Sequence, residues 1–308
     1  MAFEAFILGT GGMMPLPNRF LTSVLYRKEG ELLLFDCGEG TQISLKKLNL
    51  KWKKISSIFI SHTHADHITG LPGILMLSSQ VERDEPLYIY GPPKIKEYIE
   101  ASKTILDMYI NYEIIVTELS GSGIVCSTPD YQVRAFPLKH SKPCLGYTVE
   151  DTVRPGIFYP EKATALGVPC GPLWSQLQQG KQVKNNAGKT VSPDAVMGPE
   201  RSGTKFSFVT DTMHLDSIAH EVKNSDLFIC EGMFTRELQE SALEKKHLTS
   251  TQAAHIAEKA HVRSLGLIHY SPRYTKKELQ QLLSEAQEIF PETFLTHDRQ
   301  IIDVPNPE

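Results

Sequence analysis

The sequence predicts an α/β protein in which two sheet-plus-helix halves share one core, with helices on the outside. Three observations carry this expectation. Short runs of β-branched, aromatic or leucine residues, each bounded by Gly, Pro, Ser or Asp, recur through the first half of the chain. Helix signals fall between them. A second series of strand and helix signals begins after residue 200. The 308 residues suit a large domain with a substantial core. With 41% hydrophobic and 22% charged residues, the composition excludes disorder, collagen and coiled coil as whole-chain descriptions.

In chain order the strand candidates are Phe3–Leu8, Ser23–Arg27, Leu32–Asp36, Ile55–Ile60, Leu87–Tyr90, Glu113–Glu118, Gln132–Pro137, Gly146–Glu150, Lys205–Val209, Leu227–Cys230 and Leu265–His269. The helices are better marked. Pro92-Pro93 opens one over Lys94–Leu106, and another is expected from Leu215 to Asn224 with His220 on its surface. Thr249-Ser250-Thr251-Gln252 and Thr275-Lys276-Lys277-Glu278 are capping-box patterns ahead of Ala253–Ala260 and Leu279–Ile289. No run approaches ~18 uninterrupted apolar residues, so no membrane-spanning helix is expected. The five Cys are scattered without a CxxC pair. That argues against a disulfide framework or a Cys-based zinc site and suits a reducing cytoplasm.

The segment from about 151 to 200 differs in composition, being rich in Pro and Gly, and reads as a long loop without structure of its own, a type usually functional or mobile. From Lys162 to Pro193 it carries four Lys and no Asp or Glu. A second basic patch comprises Lys46, Lys47, Lys51, Lys53 and Lys54. The net charge of −4 thus hides two local positive patches.

The strongest chemical signal is Ser61-His62-Thr63-His64-Ala65-Asp66-His67, directly after the strand candidate Ile55–Ile60. Three imidazoles and a carboxylate within six residues at a strand end gain little from each other without a cation. Imidazole and carboxylate suit Zn²⁺, with Fe²⁺ or Mn²⁺ as alternatives. The alternation suggests two ions. His62 and His64, two apart in extended backbone, can share one, while Asp66 and His67 face a neighbour. Further donors are expected where other strand runs stop, at His140, Asp211 and His269. Asp211, with two oxygens, is the natural bridge.

HxHxDH with a later His, Asp and His resembles the metallo-β-lactamase superfamily. Phe35-Asp36-Cys37-Gly38-Glu39-Gly40-Thr41-Gln42, the opening Leu8-Gly9-Thr10-Gly11-Gly12, the late Ser271-Pro272-Arg273-Tyr274, and Gly171-Pro172-Leu173 within the Pro/Gly-rich insert narrow the resemblance. Together they look like short-form ribonuclease Z (tRNase Z), the endonuclease that removes 3′ trailers from precursor tRNA. The resemblance runs nearly end to end. It implies an αββα sandwich, two sheets face to face with helices outside. It also implies one domain over 1–308 carrying a flexible arm, an RNA-holding exosite, at about 151–200.

The resemblance further implies one Zn²⁺ on His62, His64, His140 and Asp211, and a second on Asp66, His67, Asp211 and His269. Asp66 would also accept a proton. His247, oriented by Glu231, would protonate the leaving group, leaving a 3′-hydroxyl on the tRNA and a 5′-phosphate on the trailer. Arg273 and the arm residues Lys181, Lys184 and Lys189 would hold RNA. A homodimer, in the cytoplasm and without membrane contact, would let the arm of one copy serve the site of the other. Two segments depart from the family. Its Asp-Thr-Arg-Pro is Asp211-Thr212-Met213-His214 here, and its Ser-Ser-Arg is Ser271-Pro272-Arg273. The competing expectation is a hydrolase of the same superfamily acting on a small phosphodiester.

Overall fold

The computed structural model describes residues 3–28, 30–81 and 83–304. Its strands are β1 Phe3–Gly9, β2 Ser23–Lys28, β3 Glu31–Phe35, β4 Ile55–Phe59, β5 Leu87–Gly91, β6 Ile114–Glu118, β7 Gly123–Ser127, β8 Tyr131–Lys139, β9 Pro143–Asp151, β10 Val183–Lys184, β11 Thr190–Val191, β12 Lys205–Val209, β13 Leu227–Glu231, β14 Leu265–Ile268, β15 Thr293–Leu295 and β16 Ile301–Val304. The α-helices are α1 Thr41–Lys47, α2 Ala65–Ile68, α3 Leu71–Gln80, α4 Ile95–Ile105, α5 Pro160–Ala165, α6 Pro172–Gln178, α7 Asp216–Glu221, α8 Gln239–Lys245, α9 Ser250–Lys259 and α10 Lys276–Gln287. None of the described helices is long and apolar enough to cross a membrane.

The chain divides into two compact units. The larger comprises the described residues within 1–150 and 204–306. It holds two seven-stranded sheets, in the orders β16-β1-β2-β3-β4-β5-β6 and β15-β14-β13-β12-β9-β8-β7. Between them lies an aromatic core. Phe35 of the first sheet sits 5.3 Å from Phe206 and 6.1 Å from Tyr147 of the second, and Tyr26 stacks on Phe206 at 4.9 Å. The outer face of the first sheet is covered by α1, α3 and α4 through Leu45, Ile74 and Ile99. The outer face of the second is covered by α7, α9 and α10 through Ile218, Ala254 and Leu282. This is the αββα sandwich expected. Covering both faces explains why β13 and β14 are buried at every position instead of alternating. Both expected capping boxes are present, at Thr249 with Gln252 and at Thr275 with Glu278. The strands β7 and β15 are short and weakly patterned, and sequence reading omitted them.

The smaller unit is Asp151–Gly203. Contrary to the expected structureless loop, it contains α5, α6 and the β10–β11 hairpin around a core of its own, with Ala163, Val168, Leu177, Val183, Val191 and Val196 buried. Pro160 and Pro172 stand at helix starts, where proline is well tolerated because its missing N–H would be unpaired anyway. Pro160 and Pro172, within the segment that composition reads as a structureless loop, open helices instead.

Parallel pairing of β3-β4-β5-β6 and of β12-β13-β14-β15 aligns the C-terminal ends of these strands. In open α/β sheets ligand sites form at such ends. The HxHxDH segment leaves β4, Asp211 lies just beyond β12, Glu231 ends β13, and His269 follows β14.

Candidate metal centre

The backbone presents these groups in unusual conformations. His64, extended at φ −75° and ψ 151°, is the N-cap of α2, so Asp66 and His67 fall in the first helical turn. Asp36, Asp211 and His269 have φ of 53°, 44° and 63°. Left-handed backbone disfavours residues with a Cβ, and it clusters at sites where packing over-determines a functional geometry.

Two ligand sets result. Donor atoms of His62, His64, His140 and Asp211 lie within 4.8 Å of one another, as do those of Asp66, His67 and His269. Asp211 faces both sets with different oxygens. Its Oδ2 is 3.6 Å from His62 Nε2 and 3.7 Å from His140 Nε2, while Oδ1 is 3.3 Å from His67 Nε2 and 3.2 Å from His269 Nε2. Asp66 Oδ2 is 3.6 Å from His67 Nε2 and 3.4 Å from His269 Nε2.

The far sides of the rings are mostly held. His67 Nδ1 bonds Asp36 Oδ2 at 2.7 Å, and Asp36 also accepts from the Ser61 amide and hydroxyl. His62 Nδ1 meets Ser61 Oγ at 3.0 Å, His64 Nε2 meets Ser141 Oγ at 3.3 Å, and His140 Nδ1 meets the Lys246 carbonyl at 3.0 Å. Such partners fix the orientation of a ligating imidazole. Burial, with charge from neighbouring His residues, lowers the pKa of His62, His64 and His140. These rings are neutral at pH 7, the form that ligates a cation. Burial opposes ionisation of Asp66 and Asp211, yet the surrounding imidazoles hold both carboxyls far below their usual range.

The donor set fits a divalent cation. His67 Nε2 is buried and makes no hydrogen bond among the described residues, although two carboxylates lie nearby. An orphaned imidazole nitrogen pointing between carboxylates is costly unless a cation occupies the space. The nitrogens and oxygens gathered there suit zinc and its borderline neighbours.

Beside the ligands, His247 Nδ1 bonds Glu231 Oε2 at 2.9 Å, and Glu231 Oε1 accepts from the Thr212 amide at 2.6 Å. Burial pulls the His247 pKa down, but the charge and hydrogen bond of Glu231 outweigh it and raise it to about 9. The site opens into a cleft of about 380 Å³ lined by Arg273, Lys245, Lys246, Phe234 and Met13 among others. Arg273 lies over the Phe234 ring at 5.4 Å.

The candidate ligands and the His247–Glu231 pair therefore converge. Arg273 lines the cleft, while Lys181, Lys184 and Lys189 belong to the smaller unit and are exposed there. His214 and His220 are exposed. Sequence reading gave no role to Asp36, Lys245 or Lys246. A carboxylate ending β3 beside β4 was the available signal for Asp36.

A family profile described as "Anti-Pycsar protein Apyc1" matches residues 3–109. The chain is 65% identical over 304 residues to Ribonuclease Z of Treponema denticola, and the match covers 99% of each chain. Human tRNase Z, short form, superposes with a TM-score of 0.72 at 25% identity, covering 98% of this chain and 99% of that one. The metallo-β-lactamase fold protein YhfI of Bacillus subtilis superposes with a TM-score of 0.70 at 17% identity over 98% and 99%, a likeness of fold.

Proposed function

The chain belongs to the ribonuclease Z family, and from that premise we propose how its own residues perform the reaction. It is a metal-dependent endoribonuclease that cuts the phosphodiester joining the 3′ trailer of a precursor tRNA to the mature end. The observation that carries the site assignment is Asp211, which turns one oxygen to each of two ligand sets. Such an arrangement is suited to two Zn²⁺ ions, one on His62, His64, His140 and Asp211 and the other on Asp66, His67, His269 and Asp211. When bound, the ions supply Lewis acidity towards the phosphoryl oxygens and bring the pKa of water from about 15.7 towards ~7.

Asp66 accepts the proton of the attacking water. His247 gives a proton to the departing ribose O3′. With Nδ1 committed to Glu231, Nε2 is its donating atom. The P–O3′ bond breaks, so the tRNA keeps a 3′-hydroxyl and the trailer carries the phosphate. Arg273, Lys245 and Lys246 line the cleft and would neutralise backbone phosphates without reading sequence. Cleavage of a precursor tRNA transcript, with the cut mapped, tests this reading. A protein that hydrolyses small diesters but leaves the transcript whole would overturn it.

A general acid must be protonated, so activity falls as pH rises through its pKa. Glu231 is the principal group raising the His247 pKa to about 9. Glu231→Gln removes that charge, so the alkaline limb of the kcat/KM profile should move to lower pH. A limb that stays in place would detach His247 from the acid role.

The smaller unit we assign as the RNA-holding arm. Its exposed Lys181, Lys184 and Lys189 have no evident use with a small diester. Replacing residues 156–196 with a short Gly/Ser linker should spare metal content and nitrophenyl diester turnover. Precursor tRNA cleavage should collapse through binding, and the remaining binding should depend less steeply on salt because fewer counterions are released. We further place the working form as a homodimer in which one copy's arm serves the other's site. Mixing arm-less chains with His247→Ala chains should then restore cleavage, which independent monomers do not allow.

A further inference from the structure

The turn between β1 and β2 bears on the two ligand sets unequally. Gly12 donates its amide to the Tyr270 carbonyl at 3.0 Å, and the Met14 amide donates to the Gly12 carbonyl at 2.8 Å. A bond between residues two apart closes a γ-turn around Met13, whose φ is 68°. The positive-φ form of this turn is rare and strained, and Met13 gains nothing from glycine's freedom. Nor does burial hold its side chain, which is 63% exposed. What the conformation does accomplish is to aim the Met13 amide at Asp66 Oδ2, 2.7 Å away. That oxygen is the one facing His67 Nε2 and His269 Nε2. Gly12 adds a second contact, because a Cβ there would lie 2.6 Å from His269 Cε1 and Nε2. The turn therefore touches two of the three members of the Asp66–His67–His269 set.

The two sets also differ in how their rings are supported. His62, His64 and His140 each have a partner on a second ring nitrogen, from Ser61, Ser141 and the Lys246 carbonyl. In the other set His67 is held by Asp36, but His269 Nδ1 is buried and has no hydrogen-bond partner among the described residues. Asp66 Oδ2, meanwhile, shares its electron density with the Met13 N–H. An imidazole without a second hydrogen bond is a less basic and less firmly oriented ligand.

We propose that the strained Gly12–Met14 turn is a positioning device for the second ion, in which the Met13 amide fixes Asp66 towards His67 and His269, and that this ion binds more weakly than the first. This rests on the two-ion reading above. It makes Met13 a positioning residue acting through Asp66. It also makes the chain a protein that holds one ion firmly and gains the second only when metal is plentiful.

The experiment is a Zn²⁺ titration of the chelator-stripped protein against a chromophoric competitor, which reads ion affinity without reference to catalysis. The unaltered chain should bind two ions in two classes at least about tenfold apart, as expected when supporting hydrogen bonds differ. His269→Ala should delete the weaker class only. Met13→Pro removes the N–H and cannot adopt the turn. It should weaken that class by about 10–100-fold and leave the tighter one unchanged. Met13→Gly keeps the N–H in a conformation glycine accepts, and should bind the second ion as tightly as Met13 or more so. A backbone ester at position 13, introduced with the α-hydroxy analogue of methionine, removes the same hydrogen bond without proline's constraint and should act as Met13→Pro does. Equal classes in the unaltered chain, loss of the tighter class in His269→Ala, or an ester variant indistinguishable from the parent overturns the proposal. A parent that binds one ion in all overturns the two-ion reading beneath it.

Discussion

Asp211→Ala should reduce metal content from two ions per chain to at most one and lower precursor tRNA cleavage by more than about 10³-fold. That loss exceeds what a single stabilising contact supplies, about 10²–10³ in rate. Asp211 is the group that both ligand sets share, so its removal takes an oxygen from each. It also leaves His62, His67 and His269 crowded without the carboxylate between them. Asp211 is buried beside Thr210, whose hydroxyl bonds its Oδ1 at 2.6 Å. The alanine leaves a small polar void at a strand end, and the aromatic core between the sheets is untouched. The fold should survive, with metal analysis and circular dichroism reporting the two outcomes separately. Two ions bound with undiminished turnover would show that Asp211 does not bridge.

The second large effect should depend on the leaving group. A ribose alkoxide needs a proton as its bond to phosphorus breaks, whereas nitrophenolate leaves without one. His247→Ala should therefore lose roughly 10²–10⁴-fold on precursor tRNA, the range for general acid help, and far less on bis-nitrophenyl phosphate. The geometry supports this division. His247 is tied through Nδ1 to the buried Glu231, which is itself anchored by the Thr212 amide. The ring is thereby held in one orientation at the edge of the cleft. Equal losses on both substrates would make His247 a structural residue.

Chain-local chemistry was legible in the sequence. His62, His64, Asp66 and His67 are neighbours along the chain, so their common purpose needed no fold to detect. The capping residues Thr249 and Thr275 act on amides three residues away, and their helices begin directly after them, at Ser250 and Lys276, three residues before the expected Ala253 and Leu279. Strand runs such as Lys205–Val209 are set by residue type over five positions, and their ends pointed to His140, Asp211 and His269.

What the tertiary structure alone decided involves contacts between distant segments. Asp36 holds His67 across 31 residues, and Met13 reaches Asp66 across 53. Neither pairing leaves a periodic trace, because each depends on which strand ends the sheet order brings side by side. The left-handed backbone of Asp211 and His269 is likewise invisible in residue identity, since packing imposes it against local preference. The smaller unit makes the same point through burial. Its prolines and glycines read as a structureless loop, yet a few apolar side chains such as Val168 and Leu177 close a core of their own. Composition records how often a chain turns. Only the folded arrangement settles which apolar groups meet after it has turned.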